Sequence, residues 1–457
     1  MKKNRIISGW GGTKVSRALT IENLYDRFLA LSNRGSKFTV FGSLTSYGDS
    51  AVNNHGFYFS SELLKNIEIN VPESAAHCGG GVTYGELLRE TLKYGLIPKV
   101  VPGTNRATIG GSIAADAHGK SSRVPNCVSN SVTEIELLGI DGLVHLSASN
   151  IEDAQLMAST IGGLGSTGLV LSAKLPLESI KSDTVLESRV KCHNLKKTLR
   201  EIQNALAESD YVVCWVDLSN RKSFRAIISS ARINEVTTRN SQVLYRFSRR
   251  LFITLEQIQD AVGQARGLSL IFRWNLKIVN YFLFLLTKKS RVITLQEYLF
   301  PMHKLVFWRQ MHGREGLTQW QRIIPFESEA YLETIVNEIQ SSKYLPTLVT
   351  IKISQEYSKA ILGYVLPGWN IAIDFKANQT GLIEFLKNLD EIVFSAGGRP
   401  YLIKDNYLTS EQFERFYPRA RDLKTRKDMN FIPNWVQSDQ LSRFGLVDDR
   451  FASDAKK

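Results

Sequence analysis

Cysteine is scarce in this 457-residue chain. The four that occur, Cys78, Cys127, Cys192 and Cys214, lie far apart, with no Cys-x-x-Cys pair and no histidine cluster beside them. That spacing points to neither a metal site nor a disulfide framework, and a reducing compartment is the simpler expectation. Long apolar runs are also missing: none reaches the roughly 18 residues of a membrane-spanning helix. The first ten residues are basic but lack the apolar stretch of a secretory signal. The expected location is therefore the cytoplasm, with peripheral contact at the inner face of the cell membrane left open. No internal repeat or low-complexity segment occurs.

What the chain has is an ordinary globular composition, 43% hydrophobic and 22% charged, at a length suited to two or three domains. Positive charge is in excess, giving a formal net charge of +13. Three acidic partners fit that excess: an anionic membrane surface, a phosphorylated substrate, or nucleic acid. A soluble protein that is simply basic fits it too.

Glycine is concentrated in turns beside strands. Pro102 to Lys120 sets Gly103, Gly110 and Gly111 among small residues beside Asp116, His118 and Lys120. Glycine permits close backbone approach, and successive free N–H groups can cradle an anion. A second such turn, Gly42 to Asp49, follows the apolar run Phe38 to Phe41; Leu44 stands where a dinucleotide fingerprint needs its second glycine, and the turn is not a Walker loop. A third holds Gly162, Gly163, Gly165 and Gly168 ahead of Leu169 to Leu171. One Gly-Gly pair is commonly a structural turn. Three glycine turns beside strands suggest an extended ligand held by backbone, a dinucleotide being the obvious candidate.

Local signals place other elements. Leu24, Phe28 and Leu31 recur at helical spacing. Thr83 and Glu86 form a capping box for a helix carrying Leu87, Leu88 and Leu92 and stopped by Gly95. Asp141-Gly142 joins strands 133–138 and 143–146 as a hairpin. From about residue 184 the glycine density falls, and a second, α+β region is expected, with strands at 211–216, 225–230, 348–353 and 371–375 and helices at 327–341 and 381–395. Within it Arg246 to Arg291 is basic and apolar-rich around Ile278 to Leu286. It reads equally as an interfacial helix, cations toward anionic lipid, or as a core helix with solvated ends. Lys404, after Tyr401-Leu402-Ile403, either enters a site or snorkels from a strand end.

Collinear motifs then resemble a known family. Ser8-Gly9-Trp10-Gly11, Ser46-Tyr47-Gly48-Asp49, Val101-Pro102-Gly103-Thr104, Ile109 to Ala114, His118-Gly119-Lys120, Thr160 to Gly163, Pro367 to Asn370, Lys404-Asp405 and Tyr417-Pro418-Arg419 occur in the order seen in flavin-dependent oxidases with the vanillyl-alcohol-oxidase, or PCMH-type, FAD-binding fold. Within that family the chain is most similar to the decaprenylphosphoryl-β-D-ribose 2′-oxidase group. The resemblance implies an α+β fold: a two-part FAD-binding domain (residues 1–183, completed by 400–457) enclosing an α+β substrate domain (184–399). It implies FAD contacts at Gly42, Ser43, Thr45, Ser46, Tyr47 and Gly48, at Pro102, Gly103 and Thr104, at Gly110, Gly111 and Ala114, at His118 and Gly119, and at Ile161, Gly163 and Tyr401. Covalent members carry a histidine at what looks like Thr45, so the flavin is expected to be noncovalent.

The implied substrate is a polyprenyl-phosphate-linked pentofuranose, oxidised at its 2′-hydroxyl to a keto sugar. A partner reductase would complete an epimerisation in cell-envelope polysaccharide synthesis, with no part for nucleic acid. Lys404 would supply positive charge beside the flavin or hold the substrate hydroxyl; Tyr47 and His118 are the other catalytic candidates. Lys120, Gln319, Gln321 and Asn370 join Lys404 as substrate-binding candidates. Two other readings stand beside this one. An oxidase of the same fold could act on a soluble sugar, alditol or lactone, and a noncatalytic basic protein at a membrane or on nucleic acid would need the glycine turns only as structure.

Overall fold

A computed structural model describes residues 2–8, 10–11, 15–21, 37–54, 57–123, 125–139, 142–235, 267–301, 307–424, 432–433 and 435–447. The expected helix at Leu24 to Leu31 lies outside them, as do residues 246–266 of the basic segment.

Three sheets make an α+β fold. The first takes β1 (Lys2–Ser8), β2 (Val15–Ile21), β3 (Phe38–Phe41) and β4 (Phe57–Ser60) in the order β1-β2-β4-β3, with β4 parallel to both β2 and β3. The second is antiparallel and contains β5 (Ile67–Asn70), β6 (Ala75–Gly79), β7 (Leu96–Pro98), β8 (Glu134–Gly139), β9 (Gly142–Ser147) and β10 (Leu169–Ser179), with β10 at its centre. The β8–β9 hairpin and the strand behind the third glycine turn form where the sequence signals put them. So does the helix α1 (Tyr84–Thr91): Thr83 and Glu86 close the capping box, and Gly95 ends the following turn at φ +66°. The short α2 (Ile109–Ala114) and α3 (Ala154–Thr160) complete this region.

The third sheet holds β11 (Thr184–Cys192), β12 (Tyr211–Asp217), β13 (Arg225–Ile233), β14 (Ser290–Thr294), β15 (Leu317–Pro325), β16 (Pro346–Ser354), β17 (Gly368–Lys376) and β18 (Arg399–Pro400). Their order is β14-β11-β13-β12-β16-β17-β15-β18, every pair antiparallel. Its two faces divide by the period-2 alternation of strand side chains. Val212, Cys214, Val349, Ile351, Ile371 and Ile373 face a core that also contains Leu199 and Ile202 of α4 (Leu195–Glu208). The apolar sides of α7 (Glu329–Ser341) and α8 (Leu382–Ser395) join the same core. The alternate residues of each strand face the opposite way, toward the glycine turns. The helix expected from Gly381 begins one residue later, because Gly381 sits at φ +79°.

Between β13 and β15 lie α5 (Arg273–Leu286) and α6 (Leu295–Leu299). The α5 helix corrects the core reading of this segment: only Leu276, Asn280 and Phe284 are buried, while Trp274, Val279 and Leu286 are 67%, 60% and 72% exposed. Its buried stripe is pinned by Asn280 Nδ2 donating to Asp217 Oδ1 at 2.9 Å. Among the described residues no helix is long and apolar enough to cross a membrane.

After β18 come α9 (Ser410–Phe416) and α10 (Asp439–Arg443), and the chain returns to the first sheet. Phe38 N donates to Trp435 O at 2.6 Å, and Gln437 N donates to Phe38 O at 2.8 Å. Arg443 bridges Asp49, at the end of the Gly42–Asp49 turn, and Asp405, beside Lys404, at 2.7 and 2.8 Å. The candidate lysine is thereby clamped to the turn that faces it.

Candidate active site

A cavity of about 630 Å³ runs between the inner face of the third sheet and the three glycine turns, Gly165 and Gly168 of the third among its lining. Gly42 to Tyr47, Pro102 to Thr104 and Gly110 to His118 contribute to one wall, and alternate residues of β11 to β17 form the other.

The turn behind β3 is shaped for an anion. Leu44 adopts φ +53°, the left-handed conformation usual for the glycine it replaces. Among the described residues, the backbone N–H groups of Leu44, Thr45 and Ser46 make no hydrogen bond. Successive N–H groups around a left-handed residue form a nest that takes a phosphate oxygen. Gly42 packs so closely on Thr108 that a Cβ would lie 2.2 Å from its hydroxyl, and that hydroxyl caps α2 by accepting from Gly111 N at 3.2 Å. Gly103 faces open space, with nothing within 4 Å of where a Cβ would stand, and the buried Ser112 Oγ has no partner. Free donors, an open glycine and an orphaned hydroxyl on one cavity fit a pyrophosphate-linked cofactor such as FAD.

At the other wall polar groups converge. Lys404 Nζ stands 3.7 Å from the centre of the Tyr47 ring, whose other neighbour is Trp10 at 4.6 Å. Asp374, wholly buried on β17, accepts from Trp308 Nε1 at 2.9 Å and from Gln319 Nε2 at 2.6 Å. Burial raises its carboxyl to about 6, against those hydrogen bonds and the nearby Lys404. Burial lowers the Lys404 ammonium to about 7, Asp374 opposing and Lys352 reinforcing the shift. Lys352, across the ladder from Asn370, is lowered to about 8 by burial alone.

His118 is held neutral, first by burial and then by the charges of Lys352 and Lys404. Its Nε2 lies 2.9 Å from Gln321 Nε2 and 3.3 Å from Asn370 Nδ2, two amide donors. Gln321 Nε2 also donates to Asn370 Oδ1 at 3.1 Å. The histidine is thus an oriented acceptor already in use, unsuited to taking a further proton at that nitrogen. Tyr47 keeps its phenol proton, because burial and then Asp374 push its pKa far up.

The structure brings most sequence-derived candidates to this cavity and leaves others outside its lining. Gly42, Ser43, Thr45, Ser46, Tyr47, Pro102, Gly103, Thr104, Gly110, Gly111, Ala114, His118, Tyr401 and Lys404 line it, with Gln319, Gln321 and Asn370 opposite. Gly48, Gly119, Ile161 and Gly163 do not: Ile161 belongs to the core beneath, and a Cβ on the glycines would strike backbone, Asp405 O at 1.9 Å, Val101 O at 2.7 Å and Ser159 O at 2.0 Å respectively. These three glycines pack closely against neighbouring backbone. Lys120 lines the cavity, but its ammonium donates to Tyr298 O and Leu299 O at 2.7 and 2.9 Å, tying the site to α6. Lys404 enters the site rather than snorkelling. Lys352 and Asp374 were missed, each lying within a run read simply as apolar strand; the alternation Leu348, Thr350, Lys352 was the available signal.

The Gly48 contact has a measurable consequence. Gly48→Ala drives a methyl into the Asp405 carbonyl, parts the Gly42–Asp49 turn from the Lys404 segment, and is expected to cost about 1–3 kcal/mol. Purified variant protein should carry several-fold less flavin per polypeptide by absorbance; wild-type occupancy would show that the two segments separate without affecting the site.

Comparison with known proteins agrees with this geometry. Residues 17–147 match the family model for an FAD binding domain. The chain is 27% identical over 454 residues to decaprenylphosphoryl-β-D-ribose oxidase of Mycolicibacterium smegmatis, covering 96% of each protein. Shorter similarities include cytokinin dehydrogenase 9 of Oryza sativa, 32% identical over 29% of this chain and 26% of that one. D-lactate dehydrogenase of Archaeoglobus fulgidus is 26% identical over 28% and 30%. The chain carries a PCMH-type FAD-binding domain, and it is an FAD-dependent oxidoreductase.

Proposed function

We propose that the protein oxidises a secondary alcohol, the 2′-hydroxyl of a polyprenyl-phosphate-linked pentofuranose, to a keto sugar. The observation that carries this reading is the cluster of Lys404, Gln319, Gln321 and Asn370 lining the FAD cavity, with the buried Asp374 holding Gln319 from behind, in a chain similar to the mycobacterial oxidase along nearly its full length. FAD bound along the Gly42–Tyr47 turn supplies the hydride acceptor. The remaining requirement is a group to take the hydroxyl proton, positioned within hydrogen-bond reach. Lys404 serves, since an amine lowered to about 7 is substantially neutral at physiological pH. The amides of Gln321 and Asn370, already ordered on His118, orient the sugar. Thr45 offers the cavity a hydroxyl and no imidazole, so the flavin is noncovalent. Residues 1–183 and 400–457 form the FAD-binding body in this scheme, and 184–399 the substrate-binding one.

Anaerobic mixing with a synthetic polyprenylphosphoryl pentofuranose should bleach the flavin absorbance. Bleaching by alditols or sugar lactones, without bleaching by the prenylated sugar, would establish the soluble-substrate reading instead. The keto product calls for a reductase as functional partner.

A lipid-linked substrate also gives α5 a role as the contact with an anionic bilayer. Its exposed side chains are apolar and Lys277, Lys288 and Lys289 flank them. Val279→Asp combined with Phe282→Asp should weaken sedimentation with anionic liposomes by tenfold or more, at about +2 kcal/mol or more per buried apolar side chain lost. The flavin spectrum should not change; undiminished liposome binding would remove α5 from that role.

A further inference from the structure

The inner face of the third sheet changes character in one direction, strand by strand. Gln321 on β15 pairs with Ala372 on β17, which pairs with Thr350 on β16, then Trp215 on β12, then Ile227 on β13. All five line the cavity. Amides therefore occupy β15 and β17, the Lys352 ammonium stands on β16 opposite Asn370, and Val213, Trp215 and Ile227 make an apolar floor on β12 and β13. Ile293 on β14 continues that floor, and Leu283 of α5 lies at its edge, 48% exposed. On β11 Glu187 and Arg189 interrupt it, with Ser229, Arg291 and Glu297 lining the cavity beside them; both guanidinium groups pair with Glu187, Arg291 also lies 3.9 Å from Glu297, and Ser229 Oγ donates to Glu187 at 2.6 Å, so the two cations and two carboxylates of this stretch balance.

A sugar joined through phosphate to an isoprenyl chain has the same sequence of chemistries: hydroxyls, an anion, then hydrocarbon. The spacings agree as well. Adjacent strands lie about 4.8 Å apart. The 2′-carbon and phosphorus are separated by three covalent bonds, on the order of 4 Å, so the step from β17 to β16 matches the step from sugar to phosphate. From β12 to β14 is three strand spacings, about 14 Å, which accommodates roughly three extended isoprene units of ~5 Å each.

We infer that the β12–β14 floor, closed by Leu283 of α5, is a subsite for the first three or so units of an isoprenyl chain, with Lys352 taking the phosphate at its head. The inference rests on the proposed lipid-linked substrate but concerns a separate part of the cavity. Beyond the third unit the chain emerges beside the exposed face of α5.

Calorimetric titration of the FAD-loaded protein with inorganic, dimethylallyl, geranyl, farnesyl and geranylgeranyl phosphate, each below its micellar concentration, tests it without turnover. Affinity should rise at least tenfold from geranyl to farnesyl and less than threefold beyond. Ile227→Trp, which fills the floor, should abolish the chain-length gain while leaving inorganic phosphate binding and the flavin spectrum unchanged. A flat series on the unmodified protein overturns the subsite, whatever the variant does. A gain that survives Ile227→Trp but disappears in Val279→Asp/Phe282→Asp overturns it too, since the chain would then lie only on the outer surface. The chain-length gain without flavin bleaching by the prenylated sugar keeps the subsite and rejects the assigned sugar. Bleaching with a flat series does the reverse.

Discussion

Lys404→Met should slow anaerobic flavin reduction, expressed per bound FAD, by about 10²–10³-fold, the usual loss when one group acting on the reacting atoms is removed. Methionine keeps much of the side chain's length against the Tyr47 ring and deletes only the amine. In wild type the sign of the pH dependence follows from the lowered pKa. The folded protein holds Lys404 at about 7, chiefly through burial, against an ordinary value of 10.5. If the neutral amine accepts the hydroxyl proton, the reduction rate rises as pH passes through about 7, and the variant loses that limb. A rate falling through the same range would instead make the ammonium charge the active feature and overturn the base assignment. Stability moves in a definite direction as well. Between about 7 and 10.5 the unfolded chain binds the proton and the folded protein does not, so unfolding free energy rises with pH through this window. Lys352, lowered to about 8, adds a contribution of the same sign. The difference between wild type and Lys404→Met should therefore favour the variant most below pH 7.

Asp390→Ala should reduce the unfolding free energy by about 3–5 kcal/mol, the usual result of stripping one partner from a buried ion pair. Arg322 and Asp390 are each about 1% exposed, joined at 2.6 Å (Nε to Oδ1) and 2.9 Å (Nη2 to Oδ2). Trp320 Nε1 and the Tyr407 hydroxyl donate to the same carboxylate at 2.8 and 2.7 Å. Without it, the guanidinium keeps only neutral acceptors, Gln321 O at 3.0 Å and the Tyr407 hydroxyl at 2.7 Å, so its charge is unpaired in a dry core and the Trp320 indole N–H loses its partner. The cluster locks β15, which carries Gln319 and Gln321, to α8 and to the segment just after Lys404, so the variant should also release flavin at lower temperature. Arg322→Met/Asp390→Leu removes both charges together and should lose much less than Asp390→Ala in denaturant titration. An Asp390→Ala midpoint equal to wild type would show that water or another side chain satisfies Arg322.

These two residues also mark how far the sequence could be read. Lys404 was visible as a lysine after an apolar run and by family resemblance, whereas Asp390 is one of three acids on an amphipathic helix. The capping box at Thr83, the Asp141-Gly142 hairpin and the glycine turns were legible because each is fixed by residues a few positions apart, through one local hydrogen bond or one backbone conformation. Leu44 was legible only as an anomaly, a leucine in a glycine's place; the structure resolves it by holding that leucine at positive φ. At Gly48, Gly119 and Gly163 the close approach to neighbouring backbone was not legible, since a glycine that meets a ligand and one that meets another backbone have the same letter.

The opposite wall depended on long-range pairing. Lys352 and Asn370 become neighbours only when β16 and β17 adopt their register, and Asp374 meets Trp308, 66 positions away, only in the folded chain. Burial there brings Lys404 and Lys352 toward neutrality, and no property of an isolated lysine contains that shift. By itself the sequence determined the local elements, because short-range sterics and hydrogen bonds suffice for them, and it pointed to the cofactor class through collinear motifs that resemble the FAD-binding family. Only the tertiary structure decided which polar groups meet, how they titrate, and that the cavity floor passes from amides through a cation to hydrocarbon, since each of these is set by strands distant in the chain brought into one desolvated face.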